Sequence, residues 1–131
     1  MSKGTILYIG FFKLPDKNAA AQRVMGNAKI FRDLGYNVVF LDEQDDIEYR
    51  DLLDTKHYIN DFEVYSQKRP KNFKTFLSKM LNIYNIDKII SEISDLKMVI
   101  TYNYPSIALN KLRKKYQYNF KIILKFFSQF I

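Results

Sequence analysis

Two periods of apolar and polar positions share the first third of the chain. Thr5 to Ile9 (TILYI) is a short uncharged run of β-branched and aromatic residues, the pattern of a parallel strand covered on both faces. Ala21, Val24, Met25, Ala28 and Phe31 then follow the i, i+3, i+4, i+7 spacing of a helix with one buried face. Asn18 is placed to cap that helix at its start, and Gly35 to stop it at the C′ position. Val38 to Leu41 is a second uncharged run, with Asp42 at its carboxyl end. The whole stretch predicts a strand, a loop, a helix and a second strand, a βαβ unit. Gly10 ends the first strand and leaves the backbone free to turn or to be approached closely. Phe11, Phe12 and the turn-forming run Leu14-Pro15-Asp16 come next. Gly26 falls inside the predicted helix at a cost of about 1 kcal/mol relative to Ala, and its expected reason is tight packing of helix on sheet.

The later pattern repeats these signals less cleanly. Phe62 to Tyr65 alternates weakly and predicts a third strand. Pro70 suits a helix start, and Phe73, Phe76, Leu77, Met80, Leu81 and Tyr84 lie on one face of the helix that follows. Ile86, Ile89, Ile90 and Ile93 predict a further helix. Met98 to Thr101 reads as a strand, Tyr102 to Ser106 as a loop at its carboxyl end, Ile107 to Tyr116 as a helix and Phe120 to Leu124 as a fifth strand. Strands alternating with helices predict an α/β fold, with a Rossmann-like parallel sheet of about five strands and helices on both faces. Residues 1–131 form one domain on this reading.

Composition narrows the functional classes. No run reaches the ~18 apolar residues of a membrane span, and no signal-peptide pattern precedes the first strand, so a cytoplasmic location is expected. With no cysteine among 131 residues, disulfides and zinc-finger sites are excluded. The carboxylates of Asp42 to Asp54 lack the spacing and the glycine of a calcium loop, and a solvated connector is the expected reading, with no metal and no cofactor. His57, the single histidine, has no paired Cys, Ser or His motif and reads as a surface or packing residue. The charge is uneven. Residues 1 to 66 carry 8 Lys/Arg and 11 Asp/Glu, a balance of −3, whereas residues 67 to 131 carry 13 and 3, a balance of +10. An anionic partner for the second half follows, with Lys111, Arg113, Lys114 and Lys115 as the expected contacts to anionic headgroups. The alternatives are a solvated lysine-rich surface and complementation of a helix C-terminus. No recognition-helix or RNP-type motif accompanies the charge, and nucleic acid is not expected.

Ligands of open α/β sheets bind beyond the carboxyl ends of the strands, which directs attention to Gly10–Asn18 and to Tyr102-Asn103-Tyr104. A helix N-terminus there can receive an anion, tyrosines offer planar surfaces for sugars, and Asn103 can both donate and accept hydrogen bonds. The dinucleotide fingerprint G-x-G-x-x-G and the phosphate-cradling G-K-[ST] motif are both absent.

The strand ILYIG, the loop with Pro15 and Asn18, and the runs AAAQRV and AKIFRDLGYNVVFL resemble the opening of the N-terminal domain of GT-B glycosyltransferases, specifically glycosyltransferase family 4. The resemblance is clear over about the first third of the chain. It implies the acceptor-side half of a retaining enzyme that moves a sugar from a nucleotide-sugar to a glycan or lipid-linked acceptor. Gly10, Phe11, Phe12, Arg23, Tyr102, Asn103 and Tyr104 would then line the acceptor site. It also implies a second domain with a Glu-x7-Glu motif that binds the nucleotide-sugar. The expectation is of a truncated enzyme that lacks this second domain and is inactive alone. Peripheral attachment to the inner face of a membrane, and a homodimer covering the open sheet edge, are the accompanying expectations. The reading from a different class is a non-enzymatic α/β binding module that contacts an anionic membrane or a partner protein.

Overall fold

A computed structural model describes residues 2–44, 51–68, 84–102, 114 and 121–125, with backbone only at 84, 85 and 121–125. Its centre is a six-stranded sheet. In chain order the elements are β1 (Thr5–Gly10), α1 (Ala19–Asp33), β2 (Asn37–Gln44), a 3-10 turn (Leu52–Thr55), β3 (His57–Ile59), β4 (Phe62–Lys68), α2 (Tyr84–Ser91), β5 (Leu96–Tyr102) and β6 (Lys121–Lys125). Across the sheet the strands run β3-β4-β2-β1-β5-β6. All neighbouring pairs are parallel except β3 with β4. The fold is therefore α/β and mostly parallel. The all-parallel expectation is corrected by β3, an antiparallel edge strand.

The reason for β3 is local. Asn60 and Asp61 have φ of 51° and 67°, and positive φ at both central residues is what a two-residue hairpin of the I′ kind requires. Tyr58–Glu63 and Ile59–Phe62 pair across the turn.

Side-chain alternation on β1 divides the core. Ile6 and Tyr8 face α1 together with Val24, Met25, Phe40, Val64 and Ile100. Leu7 and Ile9 face α2 together with Leu41, Tyr65, Ile86, Ile89 and Val99. On the α1 face the aromatic rings interlock edge to face: Phe40 meets Phe12 at 5.8 Å and Phe62 at 5.6 Å between centroids. Such pairs contribute about 0.5–1.5 kcal/mol beyond their burial.

The ends of α1 follow the chemistry of its sequence. Asn18 Oδ1 accepts from the Ala21 amide at 2.8 Å. At the other end the Gly35 amide donates to Arg32 O and the Tyr36 amide to Phe31 O, the paired bonds of a Schellman stop. Gly35 takes φ +100° there, where a side chain would be strained. Gly26 corrects an expectation. It is exposed, and a Cβ added to it meets nothing within 4 Å, so it is not a contact between helix and sheet.

The expected helix from Pro70 to Tyr84 apart from Tyr84 itself, where α2 begins, the loop after Tyr102, and the helix from Ile107 to Tyr116 apart from Lys114 lie outside the described residues. So does the tail after Lys125. No described helix is long and apolar enough to cross a membrane.

Candidate functional site

The strand order reverses at β1. Its chain successor β2 lies on one side, and β5 opens the other half of the sheet. Crevices in open α/β sheets form at the carboxyl end of such a reversal. Here that end is made by Gly10 of β1 and Tyr102 of β5, which are register partners. A Cβ on Gly10 would come within 2.7 Å of the Tyr102 carbonyl oxygen and 2.9 Å of the Phe12 ring. Glycine is needed at this position for strand packing.

Helix α1 runs from the loop back across this face. Its residues Arg23 and Asn27, four apart and therefore on one side, reach down to the sheet. Arg23 Nη1 donates to the Tyr102 hydroxyl at 3.2 Å, and Asn27 Nδ2 donates to the Tyr8 hydroxyl at 3.2 Å. The two tyrosines stand on adjacent strands, so these bonds fix the helix over the reversal point. Burial raises the Tyr8 phenol above its ordinary range, against a smaller opposing effect of the Asn27 bond.

The loop between β1 and α1 is anchored to the carboxyl end of β2. The Glu43 amide donates to Phe12 O at 2.9 Å. Asp42 Oδ2 accepts from the Leu14 amide at 3.2 Å and from Gln44 Nε2 at 2.5 Å, while Ser66 Oγ of β4 donates to Asp42 Oδ1. Gln44 Nε2 also donates to Leu14 O at 3.3 Å, and its Oε1 accepts from Lys17 Nζ at 2.7 Å. The Asp42 carboxyl is fully buried, and that burial pushes its pKa up. The bonds from Ser66, Gln44 and Leu14 oppose the shift, as does the more distant charge of His57.

The expectation of a solvated connector from Asp42 to Asp54 is thus corrected at its start. Asp42, Glu43 and Gln44 are buried, because β2 runs three residues beyond Leu41 and the loop folds over it. Asp51 and Asp54 are exposed as expected, and residues 45–50 lie outside the described residues. Asp51 caps the 3-10 turn through the Leu53 amide and meets Lys88 Nζ of α2 at 3.2 Å.

The proposed ligand residues divide. Gly10 and Tyr102 pair at the reversal point and Arg23 reaches the Tyr102 hydroxyl, whereas Phe11 is half-buried on the opposite, α2 face of the sheet. Phe12 is wholly buried against Tyr8 and Phe40, so its ring shapes the loop and presents no stacking surface. Tyr102 is also buried and contributes a hydroxyl rather than a ring face. Its expected role as a stacking platform is corrected for the same reason. Asn103, Tyr104, Lys111, Arg113 and Lys115 lie outside the described residues, whereas Lys114 is helical and exposed.

Sequence reasoning passed over the Asp42–Gln44–Ser66 group and Thr101. The Thr101 hydroxyl is buried with no hydrogen-bond partner among the described residues. The signal for the first group was the polar triplet Asp42-Glu43-Gln44 continuing directly from an apolar strand. Among the described residues no three His, Asp or Glu side chains converge as a metal site would require. Two concavities lie away from the reversal point. A cleft of about 310 Å³ at the amino ends of the strands includes Arg32, Tyr36, Glu63 and Asp95. A groove of about 430 Å³ runs along the outer face of α1 past Pro15, Asp16, Gln22, Gly26 and Lys29. Compared with family models, with curated proteins and with solved structures, the chain finds no match.

Proposed function

We propose that this chain is the acceptor-side, Rossmann-like domain of a retaining GT-B glycosyltransferase, which holds a glycan or lipid-linked acceptor for transfer from a nucleotide-sugar bound by a separate donor domain. The observation that carries the reading is the pairing of Gly10 with Tyr102 where the strand order reverses. Arg23 is tied to the Tyr102 hydroxyl there, and the N-terminus of α1 follows the anchored loop. The resemblance of residues 6 to 41 to family 4 supplies the chemical class. In such an enzyme this half contributes positioning, and charge on the departing diphosphate is stabilised largely by the other half. The exposed Arg23 suits a phosphate or a sugar hydroxyl.

The test is calorimetric titration of a short soluble oligosaccharide, and of the same glycan on an alkyl pyrophosphate, into wild type and Arg23→Ala. Uridine diphosphate sugar serves as the donor control. The reading expects acceptor binding that Arg23→Ala weakens at least tenfold, and no binding of the donor sugar to this chain. Equal affinities, or binding of the donor alone, would overturn it.

A binding module for anionic membranes is the second reading. It is favoured by the balance of +10 over residues 67–131 and by the exposure of Lys114. Flotation with anionic and neutral vesicles separates the two: capture by anionic vesicles without any glycan affinity selects the module.

A further inference from the structure

One glycine has no explanation inside the fold. Gly26 stands in the middle of α1, where glycine lowers helix stability. It is nevertheless exposed, and a Cβ built on it meets nothing within 4 Å. A gap of this kind lets another chain come close to the backbone. One and two turns further along the same outward face stand Ile30 and Leu34, 58% and 53% exposed. Among the described residues only Tyr58 is a further large apolar side chain so exposed. Helix α1 therefore has two apolar aspects. Ala21, Val24, Met25 and Ala28 pack on the sheet, whereas Ile30 and Leu34 face outward beside the gap.

We propose that this outer face docks a second copy of the chain, with the two α1 helices antiparallel about a two-fold axis midway between residues 26 and 30. The spacing argues for a second copy as the occupant. A two-fold interface repeats every contact, so that where residue i meets j, residue j also meets i. Gly26 and Ile30 are four apart and share one face. The axis midway between them sets Ile30 of each copy over Gly26 of the other. One helix thus carries both the knob and the gap, and a single rotation fills both gaps at once.

Charge follows the same rotation. It carries Leu34 to Gln22 of the second copy and the exposed Asp33 to Arg23, so opposite charges meet twice. Arg23 is steadied there by its bond to the Tyr102 hydroxyl. The two Lys29 side chains approach one another on the other side of the axis, where Asp16 lines the same groove. One helix pair makes a small interface, below about 1,200 Å², and the association is correspondingly weak. At concentrations that keep the copies apart, Gly26 stays open to solvent. The inference does not rest on the glycan reading, and its test uses no sugar.

Sedimentation equilibrium of the full chain between about 10 μM and about 1 mM reads the association over the range of weak complexes. Wild type should show a monomer–dimer equilibrium. Gly26→Ile blocks the gap and Ile30→Gly removes the knob, and each should weaken association about tenfold or more. The double variant exchanges knob and gap, and under the same axis it should recover most of that loss. Asp33→Lys sets like charges opposite Arg23, and its weakening should shrink as salt is raised. Circular dichroism checks that each variant is folded; if Ile30→Gly is not, Gly26→Ile and Asp33→Lys decide. A wild-type chain that stays monomeric throughout would overturn the proposal. So would a dimer indifferent to Gly26→Ile or Asp33→Lys, or a folded double variant that associates no better than the single ones.

Discussion

Gly10 and Gly26 belong to one βα unit and respond to a methyl group in opposite ways. At Gly10 the added carbon meets a backbone carbonyl at 2.7 Å and the buried Phe12 ring. Neither has room to retreat, because Phe12 is locked between Tyr8 and Phe40. Gly10→Ala is expected to destabilise by about 1–3 kcal/mol, the usual range for overpacking, as a lower urea midpoint at unchanged slope. At Gly26 the same carbon meets open space in the middle of α1. Gly26→Ala is expected to stabilise by about 1 kcal/mol, the difference in helix propensity. A loss of stability there would contradict the open surroundings of Gly26. Both glycines were visible in the sequence, but their environments were not. Neighbour contacts depend on Tyr102, more than ninety positions away in the chain from Gly10, and no local pattern encodes them.

At the scale of elements, local chemistry was legible wherever it acts within a few residues. The Asn18 cap, the Gly35 stop and the apolar stripe of α1 are present as read, and so are strands at all five expected places, four of them longer and one shifted by a residue. Strand β3 escaped because it has three residues and too little length for alternation to show, and because Asn60-Asp61 is a weaker hairpin signal than Asn-Gly. The extension of β2 into Asp42-Glu43-Gln44 was hidden for another reason. Polar residues after an apolar strand suggest solvent, yet here the loop from β1 returns and buries them. Strand β5 supplies a test of this balance of polar groups. Thr101 is buried with an unpaired hydroxyl among the described residues, and a group in that state loses its hydration without compensation. Thr101→Val retains the shape of the side chain and is expected to raise stability by about 1 kcal/mol in thermal or urea unfolding. Destabilisation by a similar amount would mean that the hydroxyl is bonded.

For the molecule as a whole, the α/β class could be read from alternating strands and helices, and the sheet is mostly parallel as that alternation requires. The strand order could not, since which side of β1 receives β5 is settled by packing between distant segments. That order is what creates a reversal point at Gly10 and Tyr102, and Arg23 of α1 reaches the Tyr102 hydroxyl. The candidate site was therefore legible as a set of loops and became a place only when the sheet was assembled. The charge asymmetry between the two halves has no such resolution within the described residues, where Lys114 alone represents the basic cluster as an exposed helical residue.

The central claim, an acceptor site at the reversal point, is tested most directly by the amide chemical-shift footprint of a soluble oligosaccharide titrated into isotopically labelled protein. The account predicts shifts concentrated at Gly10, Phe11, Arg23 and Tyr102, with little change in the cleft around Tyr36 and Asp95. A footprint confined to that amino-end cleft, or to the outer groove at Gln22, Gly26 and Lys29, would contradict it.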